Sequence, residues 1–449
     1  MPKASQELQV LLDQWAAEAA VPGAVVGVLH GGEESVLATG VSNVDTALPV
    51  DGDTLFMIGS TSKTFTAAVV LALAEDGLLA LDKPIVEYLP DLRLADPLAR
   101  KTITVRHLLT HSAGFLGDVD IDTGWGTGAL AAAVEQFDVL PQVFPAGAVF
   151  SYSNTGFMLA GRVAEVVADT PFEDLVRARL LEPLGMDDSM FLPWEVLTRR
   201  HAVGHTVREG LPAVAHTVGL SRAAGPAGGL WSSVRDQLSW ARFFLTGQAN
   251  GTPPISDSTR AALWRPQRRA ALGFEEVGLS WLRTRHGDAE LVRHGGNVSN
   301  LQVSEFVTLP SEEFAVTVLT NSAGGSELGP KVVDWCLENL VGLPPVESQP
   351  TLPRSPERLA HYAGRYETGE LACEFTVRDG SLWARMVLGE NLADSPPAFE
   401  VAFVGEDVVA RAADTRRPGT RFLRDEQGQV VMAEFGGRTA LRRQLTRSS

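Results

Sequence analysis

Apolar positions follow a helical period over some stretches of this chain and a period of two over others, and the alternation between them outlines the fold. In the first twenty residues Leu8, Leu11, Leu12 and Trp15 share one face, which predicts an amphipathic helix. Two strands, Ala24–Leu29 and Ser35–Gly40, follow around a tight turn at His30–Gly32, as a hairpin with one face buried. Between Ser60 and Glu75 the apolar residues Phe65, Ala68, Val69, Ala72 and Leu73 recur at helix spacing, so a buried helix is expected to begin at Ser60 and stop at Asp76-Gly77. From about Lys83 to Ala271 the pattern is mainly helical. Strand-like runs return at Gly278–Thr284, Leu301–Thr308 and Phe314–Leu319, and a helix is expected over Leu328–Leu340. Strands at both ends around a helical middle predict one sheet assembled from both chain ends, an α/β (α+β) class.

The pattern breaks at Gly342–Glu357, where five prolines in sixteen residues cannot continue a helix or a central strand. Beyond it, Gly364–Tyr366, Glu374–Arg378, Ser381–Met386, Ala398–Val404, Asp407–Ala412, Thr420–Arg424 and Val430–Phe435 are short, alternating and separated by turn signals such as Asp379-Gly380. The expected organisation is a domain over 1–342, a proline-rich linker over 343–357, and a small antiparallel β-barrel over 358–449.

Composition narrows the partners. The 449 residues are 45% hydrophobic and 21% charged, ordinary for a globular protein and outside the disordered and fibrous classes. With 38 basic and 55 acidic residues the net charge is −17, which repels phosphate backbones and anionic lipid, so neither nucleic acid nor membrane is an expected partner. Glu7, Asp13 and Glu18 interrupt what would have to be a signal peptide's apolar core, and no apolar run reaches the roughly 18 residues of a membrane span, so a cytoplasmic location is expected. Cys336 and Cys373 fall in different domains without metal-ligand spacing and read as free, buried thiols.

Three short motifs carry candidate chemistry. Ser60-Thr61-Ser62-Lys63 puts a lysine one helical turn after a serine, close enough for the amine to reach the hydroxyl; the plainer alternative is a surface lysine. As a base, Lys63 must lose its proton more readily than an ordinary lysine, which requires desolvation or a neighbouring cation. Tyr152-Ser153-Asn154 follows the turn residues Pro145-Ala146-Gly147 and precedes a helical run, Gly156–Val167. Its phenol can relay a proton and its amide can hold both Lys63 and a substrate amide, the alternative being a tyrosine that anchors a loop. His294-Gly295-Gly296 lies between two strand-like runs, where glycines let a substrate approach the backbone and where His294 would polarise Tyr152 or bind a carboxylate; the alternative is an exposed hairpin turn.

Taken together and in this order, the motifs resemble the serine β-lactamase and penicillin-binding-protein superfamily, on its class C β-lactamase and D-peptidase/esterase side. The stretches LFMIGSTSKTFTA (55–67), ITVRHLLTHSAG (103–114), PAGAVFSYSNTG (145–156), EPLGM (182–186) and PAGGLWSSVRDQLSW (226–240) fit it too, and the likeness spans roughly residues 5–340. The resemblance implies Ser60 as acylated nucleophile, Lys63 as base and Tyr152 as proton relay. Asn154, His294, Gly295, Gly296 and Asn297 would bind substrate, and the backbone amides of Ser60 and a residue near Leu301–Val303 would form the oxyanion hole. No cofactor and no metal are implied. His294-Gly295-Gly296 stands where penicillin-recognising members have Lys-Thr-Gly, so antibiotic hydrolysis is not expected. An unexported acyl-enzyme with a C-terminal lipocalin-like barrel is most similar to penicillin-binding-protein-type thioesterases, which release and cyclise nonribosomal peptides from a carrier protein. A hydrolytic esterase, a D-stereospecific aminopeptidase and an inert scaffold are the alternatives.

Other features read as structural. Asp118, Asp120 and Asp122 lack the glycine and glutamate of a calcium loop and read as an acidic mobile lid. His107 and His111 read as packing and capping residues. Arg438, Arg442, Arg443 and Arg447 read as a solvated basic strand edge, unless one of them reaches the site and binds a substrate carboxylate.

Overall fold

The computed structural model describes the chain apart from Met1, Leu116, Asp120, Val218, Leu272, Gly369, Glu370, 389–396 and 444–449, and apart from the side chains of Pro2, Lys3 and Leu388. A nine-stranded antiparallel sheet is assembled from both ends of the larger domain, with Gly23–His30 beside Phe314–Thr320, then Gln302–Leu309, Ala289–Val298 and Leu282–His286. Its two faces bury separate cores. On one side lie the helix Pro2–Glu18, through Leu8, Leu12 and Ala16, and the helix Gly325–Cys336, through Leu328, Val332 and Val333. On the other lies the helical region, whose centre is the helix Ser62–Glu75, buried from Ser62 to Leu73.

Gly23–His30 is buried on both faces rather than one, because Ala24, Val26 and Val28 join the terminal-helix core while Val25 and Leu29 join the other. Its unbroken apolar run is the signature of a strand covered on two sides. The run expected as a strand from Gly278 becomes one only at Leu282. Gly278 donates to Trp281 O at 2.8 Å and Ser280 has φ of +78°, so the chain turns before it pairs. The C-terminal helix begins at Gly325, three residues before the expected start, and continues as a wider turn through Val341. No described helix is long and apolar enough to cross a membrane. Cys336 and Cys373 are free and buried.

Beyond the proline-rich stretch, eight strands in sequential order close into an antiparallel barrel, with Tyr366 opposite Arg442 at the closure. Tyr366, Phe375, Phe403 and Phe422 pack in its interior. The expected basic edge is instead the closing strand, Arg438–Arg442. The barrel is fastened to the larger domain at several places: Arg417 pairs with Asp334 at 2.6 Å, and Thr439 Oγ1 donates to Phe150 O at 2.8 Å. Gly437 O accepts the Tyr152 N–H at 3.0 Å.

Candidate functional site

Ser60 lies on a short 3-10 turn, Gly59–Thr61, that leads into the helix Ser62–Glu75 rather than on the helix itself. The turn is clamped from the sheet: Ser304 Oγ donates to Ile58 O at 2.7 Å, and the Met57 N–H donates to Gln302 Oε1 at 2.7 Å. Ser62 Oγ donates to Gly59 O at 2.6 Å and accepts the Leu230 N–H at 3.1 Å. Two glycines permit the close approach. Gly59 has φ of +55°, and a Cβ on Gly296 would lie 2.0 Å from Ile58 O. The strand Ala289–Val298 therefore runs directly against the Ser60 turn.

Lys63 is fully buried, and its Nζ faces Ser60 Oγ at 3.1 Å, Asn154 Oδ1 at 2.6 Å and Ala227 O at 2.5 Å. An ammonium fills all three contacts as a donor. A neutral amine fills two and turns its lone pair to the serine hydroxyl, which is the arrangement of a general base. Burial holds the Lys63 pKa well below that of an exposed lysine, Asp118 opposes this and Arg438 reinforces it.

Tyr152 sits in extended chain just ahead of the helix Asn154–Ala168, which Ser153 caps by accepting the Gly156 N–H at 2.9 Å. Desolvation raises the Tyr152 pKa, against the opposing effect of a hydrogen bond to Ser60, so the group is a neutral phenol. His111 stacks on its ring at a centroid distance of 4.2 Å and accepts the Ser153 N–H on Nδ1 at 3.0 Å. His107 closes a capping box with Thr104. Both histidines thus pack and cap, and His111 does so directly beneath the phenol.

His294 is buried within the strand Ala289–Val298, not exposed on a turn. Its Nδ1 donates to Gly295 O at 2.8 Å, which leaves Nε2 as an acceptor with no partner among the described residues. Burial and the neighbouring Lys63 push its pKa down to about 3. A neutral ring whose Nδ1 is spent and whose Nε2 is a buried acceptor offers a carboxylate no donor, which favours the other expectation for His294, a role beside the Tyr152 phenol. Asn297 spends its side chain on Asn300, donating to Oδ1 at 2.9 Å and accepting the Asn300 N–H at 2.8 Å. Its backbone N is the strand amide beside the Ser60 turn, 3.0 Å from where a Gly59 Cβ would be. The expected oxyanion residue near Leu301–Val303 is one strand too far: Val303 pairs behind Asn297, and Gln302 is spent on clamping Met57. Pairing with Leu282–His286 ends at Arg293, so among the described residues no strand pairs with His294–Val298 on that side, and an extended substrate can lie there.

Two residues read as a lid and an edge also belong to the site. Asp118 Oδ1 accepts from Asn154 Nδ2 at 2.6 Å, and its Oδ2 accepts from Arg438 Nε at 2.7 Å. The Arg438 guanidinium lies 5.3 Å from the Tyr152 ring centroid. The arginine cluster contained the right residue, but no local pattern singled it out or paired it with Asp118. Arg442 and Arg443 lie further along the closing strand and past its end, while Arg447 and Asp120 fall outside the described residues.

Known proteins resemble this chain over most of its length. Residues 8–332 match the family model named Beta-lactamase. Penicillin-binding protein 4 of Amycolatopsis lactamdurans is 32% identical over 378 residues, 82% of this chain and 98% of that protein. The crystal structure of SurE superposes over 98% of this chain and 100% of its own, at 26% identity and a TM-score of 0.77. The D-amino acid amidase of Ochrobactrum anthropi SV3 covers 75% of this chain and 99% of its own, with 24% identity and a TM-score of 0.63, a likeness of fold. The chain belongs to the beta-lactamase family, whose members are serine hydrolases.

Proposed function

We propose that this protein is a penicillin-binding-protein-type thioesterase, which takes a peptidyl thioester containing a D-residue onto Ser60 and releases it as a macrocycle. Lys63 accepts the Ser60 proton as Oγ attacks the carbonyl, and the Ser60 and Asn297 amides receive the oxyanion. The thiol leaves with a proton relayed through Tyr152. The peptide's own amine then attacks the ester and gives up its proton by the same route. Asn154 and the strand His294-Gly295-Gly296 bind the peptide, and the donor is a peptidyl carrier-protein domain. No step requires a cofactor.

The observation that supports the D-residue part of this reading is the likeness to SurE, which covers 98% of this chain, whereas the amidase covers 75%. SurE has also been crystallised with D-Leu. Water at about 55 M outcompetes a dilute amine unless the site covers the ester and holds the acceptor. The barrel hairpin around Gly437 and Thr439, seated on Tyr152 and Phe150, is what would supply that cover here. The test is a peptidyl thioester mimic with a free N-terminal amine and a D-residue at one end, analysed by mass spectrometry. Cyclic peptide is the expected main product. Linear acid alone, over a panel of such peptides, would replace this reading with a hydrolytic esterase or D-aminopeptidase.

A further inference from the structure

The Asn154 amide can face Lys63 with either its oxygen or its nitrogen, and only the oxygen suits a lysine. A carboxylate on the other side of the amide decides between them, because it accepts from NH2 and repels the carbonyl. Asp118 occupies that side at 2.6 Å, and its second oxygen is held by Arg438 at 2.7 Å. The chain of contacts is therefore Ser60, Lys63, Asn154, Asp118, Arg438, and its last member comes from the closing strand of the barrel.

We infer that Asp118 and Arg438 are positioning residues for acyl transfer: Asp118 sets the Asn154 amide toward Lys63, and Arg438 fixes Asp118, so that barrel docking completes the surroundings of the base. Among the described residues, the other titratable groups facing Lys63 are neutral. Tyr152 is held as a phenol, and His111 and His294 are held unprotonated by burial. The two charges that act on the amine are thus those of this pair, and they act in opposite directions. Removing Asp118's charge makes Lys63 a weaker base that is neutral at lower pH; removing Arg438's charge does the reverse.

This rests on Ser60 and Lys63 being nucleophile and base, and the test separates the two ideas. The second-order rate of fluorophosphonate labelling is measured against pH in the full chain, with the labelled residue located by mass spectrometry. The rate rises with pH as Lys63 loses its proton. In Asp118→Asn, an isosteric change, this limb moves down by about one pH unit. In Arg438→Ala it moves up, in Arg438→Lys it stays near the wild-type position, and in the double variant D118N/R438A it returns toward wild type. Limbs that stay fixed, or move the same way in both single variants, overturn the inference even if labelling slows, since misfolding or loosened packing has no reason to give opposite signs. Should Arg438→Ala unseat the barrel, Asp118→Asn and Arg438→Lys decide the matter alone. Labelling at a residue other than Ser60 would instead overturn the reading of the site.

Discussion

The two halves of the site are held in different ways. Ser60 and Lys63 belong to one continuous turn and helix, sunk in the larger core and clamped by Ser304, Gln302 and Leu230. Tyr152 and Asn154 stand at the start of another helix, and much of what holds them arrives from the barrel: Gly437 O on the Tyr152 amide, Thr439 beside it, and Arg438 behind Asp118. The first half is built by local sequence and packing. The second depends on two domains meeting, so it is the half through which the barrel can act on the reaction.

Each half can be removed in turn. Ser60→Ala should lower kcat/KM on an activated ester on the order of a thousandfold or more, with the fold intact. Lys63→Ala should do nearly as much, because a nucleophile and its base fail together. More than a tenth of the activity surviving in Lys63→Ala would remove the base from the account. Tyr152→Phe keeps the ring that stacks on His111 but loses the proton relay, and a loss of about a hundredfold is expected. A loss matching that of Ser60→Ala would mean that the two halves work as one. Penicillins should be turned over weakly, because the strand offers neutral His294 where a fixed cation would hold their carboxylate; efficient nitrocefin hydrolysis would contradict this.

Smaller effects concern stability. A buried lysine whose pKa is depressed opposes folding at neutral pH, since the unfolded chain binds the proton more tightly and the folded state gains only as pH rises toward about 10.4. Lys63→Met should therefore raise stability, by about 1 kcal/mol, while abolishing activity. A fall in Tm would show that the three hydrogen bonds of Lys63 outweigh its burial. For His294 the folded pKa is again the lower one. Its contribution is fully present above about pH 6.5 and is lost as pH falls toward about 3, because the unfolded chain takes up the proton first. His294→Gln should flatten the acid side of the stability curve in that window. An unchanged acid limb would place the imidazole in water.

The same contrast explains what could be read from the sequence. Ser-x-x-Lys is legible because residues three apart on a turn meet whatever else the chain does, and the buried helix after it has a regular apolar period. Tyr-x-Asn was legible through its turn and the helix it caps. The closing strand Arg438–Arg442 shows in the sequence as a basic edge and not as one of the alternating barrel strands, because Thr439 is buried by the larger domain while the next residue, Ala440, is buried inside the barrel, and alternation disappears. Asp118 and Arg438 are 320 residues apart, in segments with no period, and nothing local selects one as the partner of the other. The misplaced oxyanion residue had a related cause: Asn297 and Val303 are opposite each other across one hairpin, and only the packing of Gly59 and Gly296 shows which strand faces Ser60.

Acyl transfer through Ser60, with the acyl group returned to the peptide's own amine, is the proposed reaction. It can be followed by time-resolved mass spectrometry of the full-length protein with a D-residue peptidyl thioester. One acyl adduct per chain is expected, located on Ser60, that decays as cyclic peptide appears and that never forms in Ser60→Ala. Product formation in Ser60→Ala, or an adduct on any other residue, would contradict it.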